Sequence, residues 1–170
     1  DGGQNWTFSQ EIQPGCSESQ VVELSNGDLV MNMRNYYRKG SRAKAISRDG
    51  GETWPDRFYE TPLIEPVCQA GMISYQTENP SAKSILLFSN PASRTERINM
   101  TLRASFDDGL TWPLAKTIFP GKSAYSCLVI TADGRIGCLF EAGEKNAYEK
   151  IIFTSFSPDW FQEINPLKRE

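Results

Sequence analysis

Hydrophobic and polar residues alternate with a period of two in several short runs, each bounded by residues that favour turns. "VVELSNGDLVMNM" (21–33) holds two β-rich runs on either side of Asn26-Gly27, a dipeptide suited to the left-handed positions of a tight hairpin turn. "CLVITADGRIGCLF" (127–140) repeats the design around Asp133-Gly134. A third hairpin is expected where "GMISYQ" and "SILLFSN" flank "TENPSAK", and "KIIFTSFS" (150–157) reads as one more strand. No segment sustains a 3.6-residue period, so the pattern predicts an all-β chain with little helix.

A longer period is superimposed on this one. "SRDGGETW" (47–54) and "SFDDGLTW" (105–112) share an Asp-Gly-Trp turn, and the chain opens on a shorter version, "DGGQNW". The equivalent aspartates Asp1, Asp49 and Asp107 are separated by 48 and 58 residues. Such steps suit the four-stranded blades of a β-propeller, whose period runs about 40 to 50 residues with insertions in loops. Each unit would hold a hairpin and then a strand leading into the Asp turn. In that turn Asp can accept main-chain N–H groups, Gly51 and Gly109 can take the positive φ required, and Trp54 or Trp112 can cover the hairpin. A catalytic or metal-binding role for Asp49 and Asp107 is the weaker reading, because an active site needs its residues once whereas a repeat fold needs its turns in every unit.

Composition removes several alternatives. The 170 residues carry a net charge of −3 and 39% hydrophobic residues, which suits a globular chain and argues against nucleic acid as a partner. No apolar run approaches the roughly 18 residues of a membrane span, and no charged-then-apolar segment opens the chain. Histidine is absent, which removes Ser-His and Cys-His nucleophile pairs and most zinc sites. Cys16, Cys68, Cys127 and Cys138 form no Cys-x-x-Cys pair and read as small buried hydrophobes. "NWT" at Asn5 and "NMT" at Asn99 match the short glycosylation pattern, which arises often by chance.

An internal comparison isolates candidate chemistry. Glu18 lies eight residues before Asn26 and Arg34 eight after it; Tyr125 and Glu141 flank Asp133 at the same offsets. Both hairpins therefore place polar or ionisable residues at the open ends of their strands. Strict alternation around a two-residue turn would set Glu18 opposite Asn35, on the other face from Arg34. Glu18 and Tyr125 are accordingly expected just before their strands or at a bulge. The basic residues Arg34, Arg38, Lys39, Arg42, Lys44 and Arg48 read as a solvated hairpin.

The Ser-x-Asp-x-Gly-x-Thr-Trp pattern, matched fully by "SRDGGETW" and "SFDDGLTW", resembles the Asp-box of the sialidases (neuraminidases). It also occurs in other propellers, including sorting receptors and glucan-cleaving hydrolases. Further segments are similar to sialidases: "ESQVVELSNGDLVMNMR" to one with a Glu and an Arg 16 residues on, "FSNPASRTERINMTLRASFDDG" to one whose Arg falls on Arg97, "SAYSCL" to the nucleophilic Tyr segment, and "CLFEAGE" to that of a Glu orienting another arginine. The resemblance implies Tyr125 as nucleophile, Glu18 as its general base, Arg34 and Arg97 as clamps for the substrate carboxylate, and Glu141 as support, with Arg94 the alternative to Arg97. It implies a retaining exo-α-sialidase acting on terminal sialic acids of glycans or glycoproteins, without cofactor or metal, in a secreted, periplasmic or cell-surface setting. Residues 1–170 would form the C-terminal half, about three blades, of a six-bladed propeller about twice as long. The N-terminal half would supply the first triad Arg and the Asp acid/base, neither of which is identifiable here, and would cover the exposed flank. The alternative is a non-catalytic Asp-box propeller that binds glycan or protein, for which Arg34, Arg97 and Tyr125 need not converge.

Overall fold

The computed structural model describes residues 1–12, 15–59, 61–77 and 83–162, with the side chains of residues 161 and 162 left aside. The first sheet is an antiparallel meander of β1 (Cys16–Glu23), β2 (Leu29–Asn35), β3 (Ala43–Ser47) and β4 (Asp56–Phe58), in that order. The second sheet contains β5 (Gly71–Tyr75), β6 (Ile85–Pro91), β7 (Ile98–Ser105), β8 (Leu114–Ile130), β9 (Ile136–Gly143) and β10 (Lys150–Phe156), again in chain order. One helical turn, α1 (Asp159–Gln162), follows. The fold is thus nearly all β, as the alternation predicts.

The six-stranded sheet is two blades joined by one strand. The first part of β8 pairs with β7, from Leu114 opposite Ala104 to Phe119 opposite Met100; its second part pairs with β9, from Lys122 opposite Gly143 to Ile130 opposite Ile136. A single strand is therefore the outer edge of one blade and the inner strand of the next. The inner strands lie side by side, with β5 packed between β1 and β8. Alternation along β6 explains how the blades adhere. Leu86 and Phe88 point into a cluster with Val22, Val30, Leu63 and Met72, while Leu87 points the other way into one with Leu102, Leu128, Ile136 and Phe140. Each such fully buried Leu or Phe contributes about 1.5–3 kcal/mol. The β8–β9–β10 unit shows an uncovered apolar face, with Val129, Leu139, Ile151 and Phe153 between 44% and 69% exposed.

The repeated turn folds alike in its two full copies. Ser47 and Ser105 each accept a main-chain N–H, from Gly51 and Gly109, at 2.9 Å. Asp49 and Asp107 accept the N–H of Thr53 and Thr111 at 2.9 and 2.8 Å. The hydroxyl of Thr53, with further main-chain and Ser47 donors, holds the Asp49 carboxyl down at about 2. Gly51 and Gly109 have φ of 98° and 80°, in the left-handed region that a side chain would strain. Trp54 is buried and Trp112 packs on Phe88, with ring centroids 5.8 Å apart. These aspartates are turn formers. In the opening copy Asp1 also gathers N–H groups, and Asn5 supplies an amide where Thr stands elsewhere, but Trp6 is exposed, with its indole N–H on the Gly3 carbonyl.

Two expectations need correction. Arg42 does not belong to a solvated hairpin: it is fully buried. The cysteines are free thiols, and Cys68 and Cys138 are buried as expected, whereas Cys127 is exposed and Cys16 only half-buried. The third hairpin forms from β5 and β6, but residues 78–82 of its turn lie outside the described residues.

Candidate active site

Both marked hairpins carry a β-bulge at the same place. In the first, Ser17 faces Arg34 and Ser19 faces Met33, so Glu18 is the extra residue. In the second, Ser123 faces Ala142 and Ser126 faces Phe140, one residue too many on the strand that holds Tyr125. An extra residue re-aims a side chain that strict alternation would point elsewhere, so the bulge option of the sequence reading holds for both.

The two bulges bring together groups far apart in the chain. Arg34 Nη1 donates to Glu18 Oε2 at 2.6 Å and to the Tyr125 hydroxyl oxygen at 3.3 Å. The Tyr125 hydroxyl donates to Glu18 Oε1. Only one guanidinium nitrogen of Arg34 is used in this way; its Nε is buried with no partner among the described residues. Arg34 also stacks on Tyr36, 4.9 Å from the ring centroid.

Burial works to raise the Glu18 carboxyl, but the hydrogen bonds from Tyr125 and Arg34 win and leave it below the ordinary carboxylate value. Tyr125 shifts the other way: its bond to the Glu18 carboxylate, then burial, hold the phenol above its ordinary value. At neutral pH the pair is therefore a carboxylate accepting from an intact phenol.

Arg97 approaches from the β6–β7 side, its guanidinium carbon 5.7 Å from the centre of the Tyr125 ring. It donates to the Val67 carbonyl at 3.2 Å and to the Tyr148 hydroxyl. It therefore reaches the ring of Tyr125 rather than its hydroxyl. Arg94, the alternative, instead donates to the Gly40 carbonyl at 3.0 Å. Glu141 accepts the Tyr125 main-chain N–H at 3.1 Å and bonds no arginine among the described residues.

Three supporting residues escaped the sequence reading. The Gln69 side chain accepts the Ser126 N–H at 2.9 Å and donates to the Ser126 carbonyl at 3.0 Å. It thus acts as a one-residue strand partner beside the bulge, where the ladder is interrupted. Arg42 and Glu65 form a buried pair at 2.7 Å. Arg42 also donates to Asn32 at 2.6 Å and to the Cys68 carbonyl, and Glu65 receives the N–H of Asn35 at 2.6 Å and of Cys68 at 3.3 Å. Burial pushes the Glu65 carboxyl up, yet every group bonded to it is a donor, which favours the ionised form. The signal for Glu65 is its place in "PLIEPVCQAG", a lone acid in an apolar run, which demands a buried cation. Nothing in the sequence marks Gln69.

No group of three or more metal-ligating side chains occurs among the described residues. Residues 1–138 match the family model of the BNR repeat-like domain. The chain is 38% identical to a sialidase of Micromonospora viridifaciens over 167 residues, 96% of this chain and 25% of that protein. It is 37% identical to a sialidase of Bacteroides fragilis over 147 residues, 84% of this chain and 27% of that protein. A solved Hadza microbial sialidase superposes with a TM-score of 0.80 at 34% identity, covering 94% of this chain and 31% of that one. The chain thus spans about a quarter of the length of these two curated relatives.

Proposed function

The chain belongs to the sialidase family of BNR repeat-like propellers, of which it forms about three blades, and from this we propose that the intact protein is a retaining exo-α-sialidase with Tyr125 as nucleophile. The observation that carries the reading is the convergence of Glu18, Arg34 and Tyr125 on one hydroxyl group.

Sialic acid is an anion, so a carboxylate nucleophile would approach like charge, whereas a neutral phenol does not. The phenol attacks poorly while protonated. Glu18, unprotonated and bonded to that hydroxyl, takes its proton as the oxygen bonds to the anomeric carbon. Arg34 Nη1 faces both oxygens and offsets the charge that develops on the phenolate. The unused side of its guanidinium, together with Arg97, suits a carboxylate on the same carbon. The departing glycosidic oxygen takes a proton from an acid elsewhere in the intact protein. Water then attacks the anomeric carbon and gives a proton to the conjugate base of that acid, while the Tyr125 oxygen leaves and takes its proton back from Glu18; two inversions give net retention. The remaining blades, which we propose supply that acid and another arginine, would also cover the apolar face of Val129, Leu139, Ile151 and Phe153.

The direct test is proton NMR of an α-sialoside treated with the intact protein. The α-anomer of the free sugar should appear first and equilibrate to the β-form afterwards. Appearance of the β-anomer first would exclude a covalent tyrosyl intermediate, and no turnover at all would favour a glycan-binding module.

Two further results are expected. Because Arg34 helps to hold the Glu18 carboxyl low, Arg34→Met removes a pKa-lowering donor, and the acidic limb of kcat/KM moves to higher pH. An acidic limb that stays in place would separate Glu18 from the base role. Gln69→Ala frees the Ser126 peptide and lets Tyr125 drift, so kcat falls about ten-fold with KM little changed. A change confined to KM would show that the clip serves binding instead.

A further inference from the structure

Beside Arg34 lies a cavity of about 470 Å³, within the 300–1,000 Å³ range of small-ligand pockets. Arg34 borders it together with Tyr36, Arg38, Pro66, Val67, Arg94 and Thr95, and Glu18, Tyr125 and Arg97 do not. Three of the seven residues that border this space are arginines, and none is an acid. Arg34 is already paired with Glu18 at 2.6 Å, so the charge left to meet an anion in this space is that of Arg38 and Arg94.

The walls are built at a conformational cost. Arg38 and Val67 both have φ of 54°, in the left-handed region that long and β-branched side chains avoid. The Val67 carbonyl accepts from Arg97, and Val67 also borders the cavity. Arg94 lies along Gly40, where an added Cβ would sit 3.0 Å from the Arg94 Cβ. Its Nη1 donates to the Gly40 carbonyl at 3.0 Å, which fixes the side chain beside the cavity that Arg94 lines. Strained backbone of this kind collects at ligand clamps.

We propose that Arg38 and Arg94 form an anion subsite for a second negatively charged group, carried by the sugar beyond the scissile bond. The inference rests on the sialidase reading above. Its ligand class is an α-sialoside whose leaving sugar bears a carboxylate or a sulfate ester. Arg34 is the hinge between the two sites: one face serves the reacting sugar, the other closes the subsite.

The experiment compares kcat/KM of the intact protein for sialyllactose, a sialyl-sialyl-lactose and a sulfated sialyllactosamine, in wild type and in the double variant Arg38→Ala/Arg94→Ala. Wild type should prefer at least one anionic substrate by roughly ten-fold or more, the worth of one charge-assisted hydrogen bond. The double variant should lose that preference while turnover of sialyllactose and the melting temperature stay unchanged. Preference for the disialyl substrate alone assigns a carboxylate, and for the sulfated substrate alone a sulfate ester. Equal treatment of all three by wild type, or a preference that survives in the variant, overturns the subsite. Should wild type cleave none of them, the sialidase reading fails by itself; calorimetric binding of the same glycans then decides, since affinity equal in both proteins also overturns the subsite, whereas weaker binding of the anionic glycans by the variant supports it.

Discussion

Tyr125→Phe in the intact protein should lower kcat on a fluorogenic α-sialoside by at least about a thousand-fold, the order seen when a covalent nucleophile is removed. The substitution deletes one oxygen and nothing else. The ring keeps its contacts with Cys68 and Ala124, the bulge keeps the Glu141 carboxylate on its N–H, and Arg34 keeps its 2.6 Å bond to Glu18. Folding and substrate binding should therefore survive, with KM within a few-fold and the melting temperature little changed. Loss of turnover without loss of binding would separate attack by the phenol from a positioning effect. Activity within ten-fold of wild type would require another nucleophile, and the constellation around Glu18 would then be a binding site.

Arg42→Met should have the largest effect on stability, about 3–5 kcal/mol, because removing one member of a buried ion pair leaves the other charged and without its counter-ion. Arg42 and Glu65 are 0% and 1% exposed, so water cannot take the missing place. Glu65 would keep the N–H groups of Asn35 and Cys68 but lose its cation. The measurement is the denaturant midpoint at constant slope, and a midpoint that barely moves would mean that Glu65 is held protonated. Because the same pair ties the ends of β2 and β3 to the segment leading into β5, activity should fall with stability.

Much of this architecture could be read from residue order. Hairpins were legible because Asn26-Gly27 and Asp133-Gly134 state their turns locally, and Gly27 and Gly134 do adopt positive φ, at 86° and 77°. The Asp turns were legible because the side-chain bonds of Ser47, Asp49, Ser105 and Asp107 that close them span four residues or fewer. The equal spacing of Glu18–Arg34 and Tyr125–Glu141 pointed to a shared frame, and its physical basis is a bulge in the same place in each hairpin. Tertiary choices were not legible. Pro120-Gly121 has the look of a turn, yet β8 runs through it, because the register shifts there between one partner strand and the next and no ladder donor is required of the proline. Arg42 looks like its basic neighbours in the sequence; only the arrival of Glu65 from 23 residues away makes it a core residue.

The unbroken run of β8 also divides the chain into places where length can change and places where it cannot. One residue inserted between Leu114 and Ser123 would rotate everything after it to the opposite face, and Tyr125 would leave the cleft. Residues 36–42 and 92–97 belong to connections between strands, where an insertion shifts no ladder. These two connections carry Arg38 and Arg94. Divergence by insertion and deletion would thereby be steered to the rim of the cavity beside Arg34, which on the proposed sialidase reading would alter the glycans accepted and leave the Tyr125 oxygen in place.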